Sequence, residues 1–249
     1  MSIKNTEALV IGSVNLIEAD RIITFYTRGF GKIKAVAKGV KSHKSRFGSR
    51  MELLTHCNII YTEKEGRELH YIRKAETIDS HEGFRHDMKK LTAALYIAEL
   101  VENLIKEGEE GEYEVIFFFL LKVLQCLRDY SDIDSILRIY EIRMLHFLGF
   151  MPELHRCVMC KHLFNNGRWF FSVSAGGLVC TRCRSTLNEN IPISHGGVMF
   201  LRKAVSINRD KIERLHLLPS TKGEINYILH KYIVYRIEKE LKSYPFLGY

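Results

Sequence analysis

The chain has 249 residues, of which 46% are hydrophobic and 27% charged, with a formal net charge of +8. That length can bury a sizeable core and hold two domains, and the composition is that of an ordinary globular protein. The longest apolar run, Val115 to Leu121, stops at Lys122, far short of the ~20 residues that span a bilayer, and the first residues lead into no signal-peptide h-region, so a soluble cytoplasmic protein is expected.

The first eighty residues read as short strands punctuated by glycine. Ala8 to Ile11 is apolar and β-prone; Arg21 to Thr27 alternates Ile23 and Phe25 against Ile22, Thr24 and Tyr26; Leu53 to Thr62 and Leu69 to Thr77 are further extended runs. With a third strand around Lys32 to Lys38, five strands in so small a segment suggest a partly closed barrel. In that third strand the period of two puts Lys32, Lys34 and Lys38 on one face and Ile33, Ala35 and Ala37 on the other.

The charge is concentrated in the same region. Between Asp20 and Glu52 there is no acidic residue, while Arg21, Arg28, Lys32, Lys34, Lys38, Lys41, Lys44, Arg46 and Arg50 contribute +9, so the rest of the chain carries 8 − 9 = −1. A basic excess confined to one segment points to a polyanion, with Lys and Arg neutralising phosphates. The segment from Gly39 to Arg50 is polar and rich in Gly and Ser, a loop. Phe47 within it suits either base stacking or packing, whereas Phe25, alternating within a strand, suits the core.

From about Phe84 the pattern turns helical. Leu91, Leu95, Ala98, Val101 and Ile105 follow helical spacing, with Leu100 and Leu104 widening the stripe. An acidic turn, Glu107 to Glu112, breaks the chain. A helix from about Tyr113 to Arg128, apolar nearly all round, and another from about Ile133 to Leu148, stopped by Gly149, follow it. Gly196 to Ala204 and Lys222 to Lys242 supply two more, so a helical bundle is expected, interrupted by the cysteine-bearing segment.

In that segment Cys157 and Cys160 are separated by nineteen residues from Cys180 and Cys183. This is the spacing of a Cys₄ zinc site, and four protein ligands leave no position for water, so a structural Zn²⁺ at about residues 155–186 is expected. Two disulfides would need an oxidising compartment, and a redox Cys-x-x-Cys would ordinarily occur once. An iron-sulfur cluster also takes four thiolates, and spacing alone leaves it open. His155 and His162 flank the first pair and read as surface residues; Cys57 and Cys126, in apolar surroundings, read as small buried hydrophobes.

Enzyme signatures do not emerge. Gly29-Phe30-Gly31-Lys32 lacks the spacing and hydroxyl of a phosphate loop, and His81-Glu82 with His86 misses the metalloprotease pattern by one residue. No catalytic residues are assigned. The two binding readings are a nucleic-acid-binding protein and a zinc-ribbon adaptor whose basic patch grips an acidic protein tail. A nuclease or nucleotidyl enzyme would need a carboxylate cluster that the sequence does not display.

Several local strings carry a resemblance. Asp20 to Lys32, Ala35 to Lys41, Lys44 to Gly48, and Leu148 to Leu154 running into Cys157, Cys160, Gly176-Gly177-Leu178, Cys180 and Cys183 resemble the RecO family of recombination and repair proteins. The likeness extends over essentially the whole chain. It implies an α+β protein: a five-stranded OB-fold barrel over residues 1–80 and an α-helical domain over 81–249 carrying the Cys₄ zinc motif, without enzymatic turnover. It implies binding of single- and double-stranded DNA, annealing of complementary strands, and cooperation with RecR to load RecA onto strands coated by single-strand-binding protein, whose C-terminal tail is a further partner. A cytoplasmic, nucleoid-associated location and no membrane partner go with it. Carried onto this chain, the implied metal ligands are Cys157, Cys160, Cys180 and Cys183. The expected DNA face is Arg28, Lys32, Lys34, Lys38, Lys41, Lys44, Arg46 and Arg50.

Overall fold

Five strands open the chain: β1 (Ser2–Asn15), β2 (Arg21–Thr27), β3 (Gly31–Ala37), β4 (His56–Glu63) and β5 (Leu69–Asp79). They belong to a computed structural model that describes residues 2–16, 19–40, 47–63, 69–108 and 111–248. The strand order β1-β2-β3-β5-β4 returns to β1 and closes the barrel, in the order of an OB fold. The ring is completed by β3 running parallel to β5, with Lys34 opposite Leu69 and Val36 opposite Tyr71. Closure leaves fewer edges than the partly closed sheet expected from the strand count.

Alternate residues of every strand fill the interior. Ala8, Val10, Ile23, Phe25, Ile33, Ala35, Ile59, Ile72 and Ala75 belong to one buried cluster, and each fully buried Ile or Phe contributes about 1.5–3 kcal/mol. The outer face of β2 is covered as well: Thr24 and Tyr26 are buried, and the Tyr26 hydroxyl donates to the Tyr113 carbonyl at 3.4 Å. Cys57, fully buried in the same cluster, has its thiol pushed up to about 12 by burial.

Helix α1 (Met88–Leu104) starts where the Asp87 carboxylate accepts from the Lys89 and Lys90 amides. It packs on β1. Its buried set is Ala93, Ala94, Tyr96, Ile97, Ala98, Leu100, Val101 and Leu104, whereas Leu91 and Leu95 are only half-buried. The expected stripe holds at Ala98, Leu100, Val101, Leu104 and Ile105, all buried, and departs only at Leu91 and Leu95, where Ala93 and Ala94 take the core-facing positions.

Helix α2 (Tyr113–Asp129) is less uniformly enclosed than its composition suggests: Val115, Gln125 and Arg128 are exposed, while Phe117, Leu120, Val123, Leu124 and Cys126 are buried. Helix α3 (Ile133–Phe147) is capped by Asp132, whose carboxylate accepts from the Ser135 amide at 3.2 Å. It ends where Gly149 takes a positive φ of 75° and Phe150 donates to the Leu145 carbonyl at 2.7 Å. A small sheet, β6 (Trp169–Ser172), β7 (Gly177–Cys180) and β8 (Ile191–Ile193), follows in the order β7-β6-β8. Helix α4 (His195–Ser206) and helix α5 (Pro219–Ile237) pack with α3. The last helix is shorter than its apolar pattern implied, stopping where Glu238 adopts a left-handed φ of 53°; Leu241, beyond that stop, is still buried.

Compact packing groups the chain as Met1–Leu121 and Lys122–Tyr249. No helix among the described residues is long and apolar enough to cross a membrane.

The second unit encloses an ion pair. Arg138 and Glu141, one helical turn apart on α3, meet at 2.9 Å with both side chains fully buried. Removing one member strands a buried charge, which costs about 3–5 kcal/mol. Arg138→Met is expected to lower the urea unfolding free energy by that amount, and the double variant Arg138→Met/Glu141→Leu to recover most of it.

Candidate nucleic-acid interface and metal centre

Three of the expected DNA-contacting cations converge on one side of the barrel. Lys32 and Lys34 alternate outward on β3, opposite Tyr26 and Thr24 of β2, and Arg28 lies in the turn joining the two strands. That turn is tight because Gly31 has a positive φ of 61° and because a Cβ there would lie 2.7 Å from the Tyr113 ring. Val36, on the same strand face as the lysines, is buried, and Lys38 falls beyond the strand, its ammonium 5.6 Å from the Tyr71 ring centroid. Arg50 is exposed in a separate 3₁₀ turn before β4. Lys41, Lys44 and Arg46 lie outside the described residues.

Phe47 is 1% exposed and belongs to the barrel interior with Met51. Of the two roles its position allowed, the structure shows packing. Its ring fills the barrel and offers no face to a base.

The same side of the barrel holds acids that the basic run did not announce. Lys34 pairs with Glu107 at 2.5 Å. Arg28 pairs with Glu114 at 2.5 Å and with Glu7 at 3.0 Å, and the Lys32 ammonium donates to the Glu102 carbonyl at 2.7 Å. Glu107, in the acidic turn between α1 and α2 that is legible in sequence only as a helix breaker, supplies countercharge to Lys34. No local signal in the sequence links that turn to the basic segment.

The four cysteines of the second unit gather at one point: their sulfur atoms all lie within 4.8 Å of one another, and Cys160 Sγ is 3.7 Å from Cys180 Sγ. A tetrahedron of thiolates at ~2.3 Å from a zinc ion has edges of roughly 3.8 Å, so the sulfurs are spaced for a shared ion rather than for bonding to each other at ~2.05 Å. The hairpin β6–β7 returns the second pair, with Trp169 opposite Cys180. The first pair is held against it by Val158 donating to the Leu178 carbonyl at 2.8 Å and Cys180 N–H donating to Cys157 Sγ at 3.5 Å.

The thiols titrate unevenly. Burial raises Cys157, but N–H groups of Cys160, Cys180 and Met159 outweigh it and bring it down to about 6. Cys183, hydrogen-bonded to Cys160 and lying beside Cys180 and Cys157, is pushed up to about 12. Sulfurs this close resist collecting negative charge unless a cation shares it, and a bound divalent ion deprotonates its thiol ligands. His155 and His162 are exposed; His162 stacks on Trp169 with centroids 6.2 Å apart.

Over residues 1–81 the chain matches the family profile described as Recombination protein O N terminal, and over 85–245 the one described as Recombination protein O C terminal. The chain belongs to the RecO family. It is 32% identical to the DNA repair protein RecO of Pelotomaculum thermopropionicum, covering 99% of this chain and 94% of that protein. Identity is 31% to that of Caldanaerobacter subterraneus, covering 99% and 98%. With the RecO protein of a Thermoanaerobacter species it is 30%, covering 100% and 98%. A role in DNA repair and recombination follows for this chain.

The metal centre depends on one close backbone approach. A Cβ on Gly177 would lie 2.5 Å from the Glu153 carbonyl oxygen and 2.8 Å from its nitrogen. Gly177→Val is expected to force the Glu153 segment off β7, costing about 1–3 kcal/mol and increasing the reaction rate of Cys157 and Cys160 with a thiol reagent. Unchanged labelling would show that this approach does not hold the ligands in place.

Proposed function

We propose that the protein is a non-enzymatic recombination mediator that binds single- and double-stranded DNA on its barrel and anneals complementary strands. Residues 1–80 form the nucleic-acid-binding domain, and residues 81–249 form a helical domain with a structural zinc at Cys157, Cys160, Cys180 and Cys183. RecR and the C-terminal tail of single-strand-binding protein are its partners in the nucleoid, and RecA is served indirectly, by being loaded onto the strand. The observation that carries this reading is the convergence of Arg28, Lys32 and Lys34 on one side of an OB-type barrel in a chain of a DNA repair family. Lys38, Lys41, Lys44, Arg46 and Arg50 extend the phosphate-binding surface.

The mechanism is electrostatic. Lysines on the barrel screen repulsion between two phosphate backbones while bases remain free to test pairing, and this consumes no nucleotide. About five neutralised phosphates give a slope of log affinity against log salt near −3.5 for single strands. In oligonucleotide titrations Lys34→Glu with Lys38→Glu is expected to weaken binding alike for all sequences and to flatten the slope. Glu107→Gln with Glu114→Gln, which removes one acid from beside Lys34 and one from beside Arg28, is expected to act in the opposite direction. A parent slope near zero would remove the lysine face from the mechanism.

The thiolate tetrahedron supports zinc over an iron-sulfur cluster, because one ion fits between sulfurs at a 3.7 Å spacing. One equivalent of zinc per chain is expected on metal analysis, with no visible absorption. Chelation should unfold the ribbon while leaving the barrel's circular dichroism in place. Brown, iron-containing protein would refute the assignment.

Exposed Met159 and Leu163 on the ribbon, 49% and 69% accessible, favour the adaptor as a second reading. It requires saturable binding of an acidic peptide together with weak oligonucleotide binding that does not grow with length.

A further inference from the structure

The first unit carries a cleft of about 530 Å³ between the β2–β3 turn, the end of β4, the start of β5 and the turn after α1. Its volume lies within the range of small-molecule sites. Four rings line it: Phe30 meets Tyr61 edge-on with centroids 6.1 Å apart, Tyr61 meets His70 at 5.2 Å, and Tyr113 is the fourth; the Lys4 ammonium lies 5.1 Å from the Phe30 ring centroid. Phe30 is only half-buried and also borders an adjoining groove lined by Arg28 and Asn58.

The charges around the cleft discriminate between ligands. Lys32 lines it, and Lys34 lies next to it through its pair with Glu107; Glu63 and Glu107 are on its rim. Burial lowers the His70 imidazole, against the pull of Glu63 and Glu107, so the ring sits at neutral pH as an uncharged plane. Carboxylates at the rim repel phosphate yet accept hydrogen bonds from the N–H groups of a heterocycle, while in the neighbouring groove Arg28, paired there with Glu7 and Glu114, exchanges a carboxylate for a phosphate at little cost. An aromatic-walled cleft with acceptors at its rim and a cation next door matches a nucleotide unit whose base is buried and whose phosphate is outside.

We infer that this cleft takes one unpaired base of a bound single strand, stacked against Phe30. The inference rests on the reading that the barrel binds DNA, and it places base contacts at the β2–β3 turn and the β4–β5 ends, where the basic run alone gave only phosphate contacts. A strand held this way exchanges a stacked base for a paired one when a complement arrives.

The test uses the full-length protein and two oligonucleotides of about 15 nucleotides. One contains 2-aminopurine among ordinary bases; the other has an abasic stretch of equal length and charge. Binding is expected to quench the 2-aminopurine. Phe30→Ala, and Phe30→Leu, which keeps the packing against the barrel, are expected to remove the quench. Both should weaken the base-bearing oligonucleotide by about 5- to 150-fold, leaving the affinity and salt slope of the abasic one unchanged. Equal loss on both oligonucleotides, or no loss on either, overturns the stacking site. If the unmodified protein binds neither, DNA binding by the barrel itself fails; if it binds both equally and without quenching, only the base cleft does.

Discussion

Everything on the barrel follows from one strand being shared between two neighbours. Residues Ser2–Leu9 of β1 pair with β4 and residues Ala8–Asn15 pair with β2. A single straight strand cannot serve both partners at their required inclination. The register shift between Val10 and Gly12 bends it at the handover, and Gly12 lies where a Cβ would be 2.8 Å from the Glu102 carboxylate of α1. The bend closes the ring, the ring fixes β3 beside β5, and that placement turns Lys32 and Lys34 outward. It also brings the end of α1 against the same side, which is why the lysines face acids.

Those acids change what the basic segment can do. Exposed ion pairs are worth at most about 1 kcal/mol each, so a phosphate can take the place of the Glu107 or Glu114 carboxylate with little net cost. It also gains little, because the cation was already partnered. On the proposed reading the consequence is a surface that holds a polynucleotide loosely and lets go of it. A protein that brings strands together and releases the duplex requires this, whereas an unopposed row of nine cations would grip. The net charge of the segment overstates its pull on a polyanion, because Glu107 and Glu114, more than sixty positions away in the chain, and Glu7, before the segment, supply countercharge.

That distance also marks what could be read beforehand. β2, β3 and the end of α3 were legible because their signals are local: alternation in Ile23 and Phe25, a lysine stripe, a glycine after the last turn. The gathering of the four cysteines was legible because a shared ligand site fixes the spacing of its residues. The first half of β1 was not, since Lys4, Asn5 and Glu7 look like loop and are held through backbone pairing to β4, which leaves no trace in side-chain pattern. The half-burial of Leu91 and Leu95 on α1 and the left-handed stop at Glu238 depend on neighbours contributed by distant sequence. Phe47 illustrates the limit most clearly: a phenylalanine in a basic loop is chemically suited to bases, and only the closure of the barrel decides that it points inward.

The metal ribbon shows the same dependence on context for charge. Lys161, Arg168, Arg182 and Arg184 are exposed around the cysteines. Four thiolates around one divalent ion carry a net charge of about −2. Cations on residues adjacent to Cys160 and Cys183, and on the residue before Trp169, would offset that charge in its immediate surroundings. The strands of the ribbon are only three or four residues long, and β6 and β7 are buried by packing on the helices, Phe171 meeting Tyr232 of α5 edge-on with centroids 5.5 Å apart. Positive charge near the thiolates therefore reads first as part of the metal site. Positive charge on the barrel, where no such anionic centre exists among the described residues, reads as a place for phosphate.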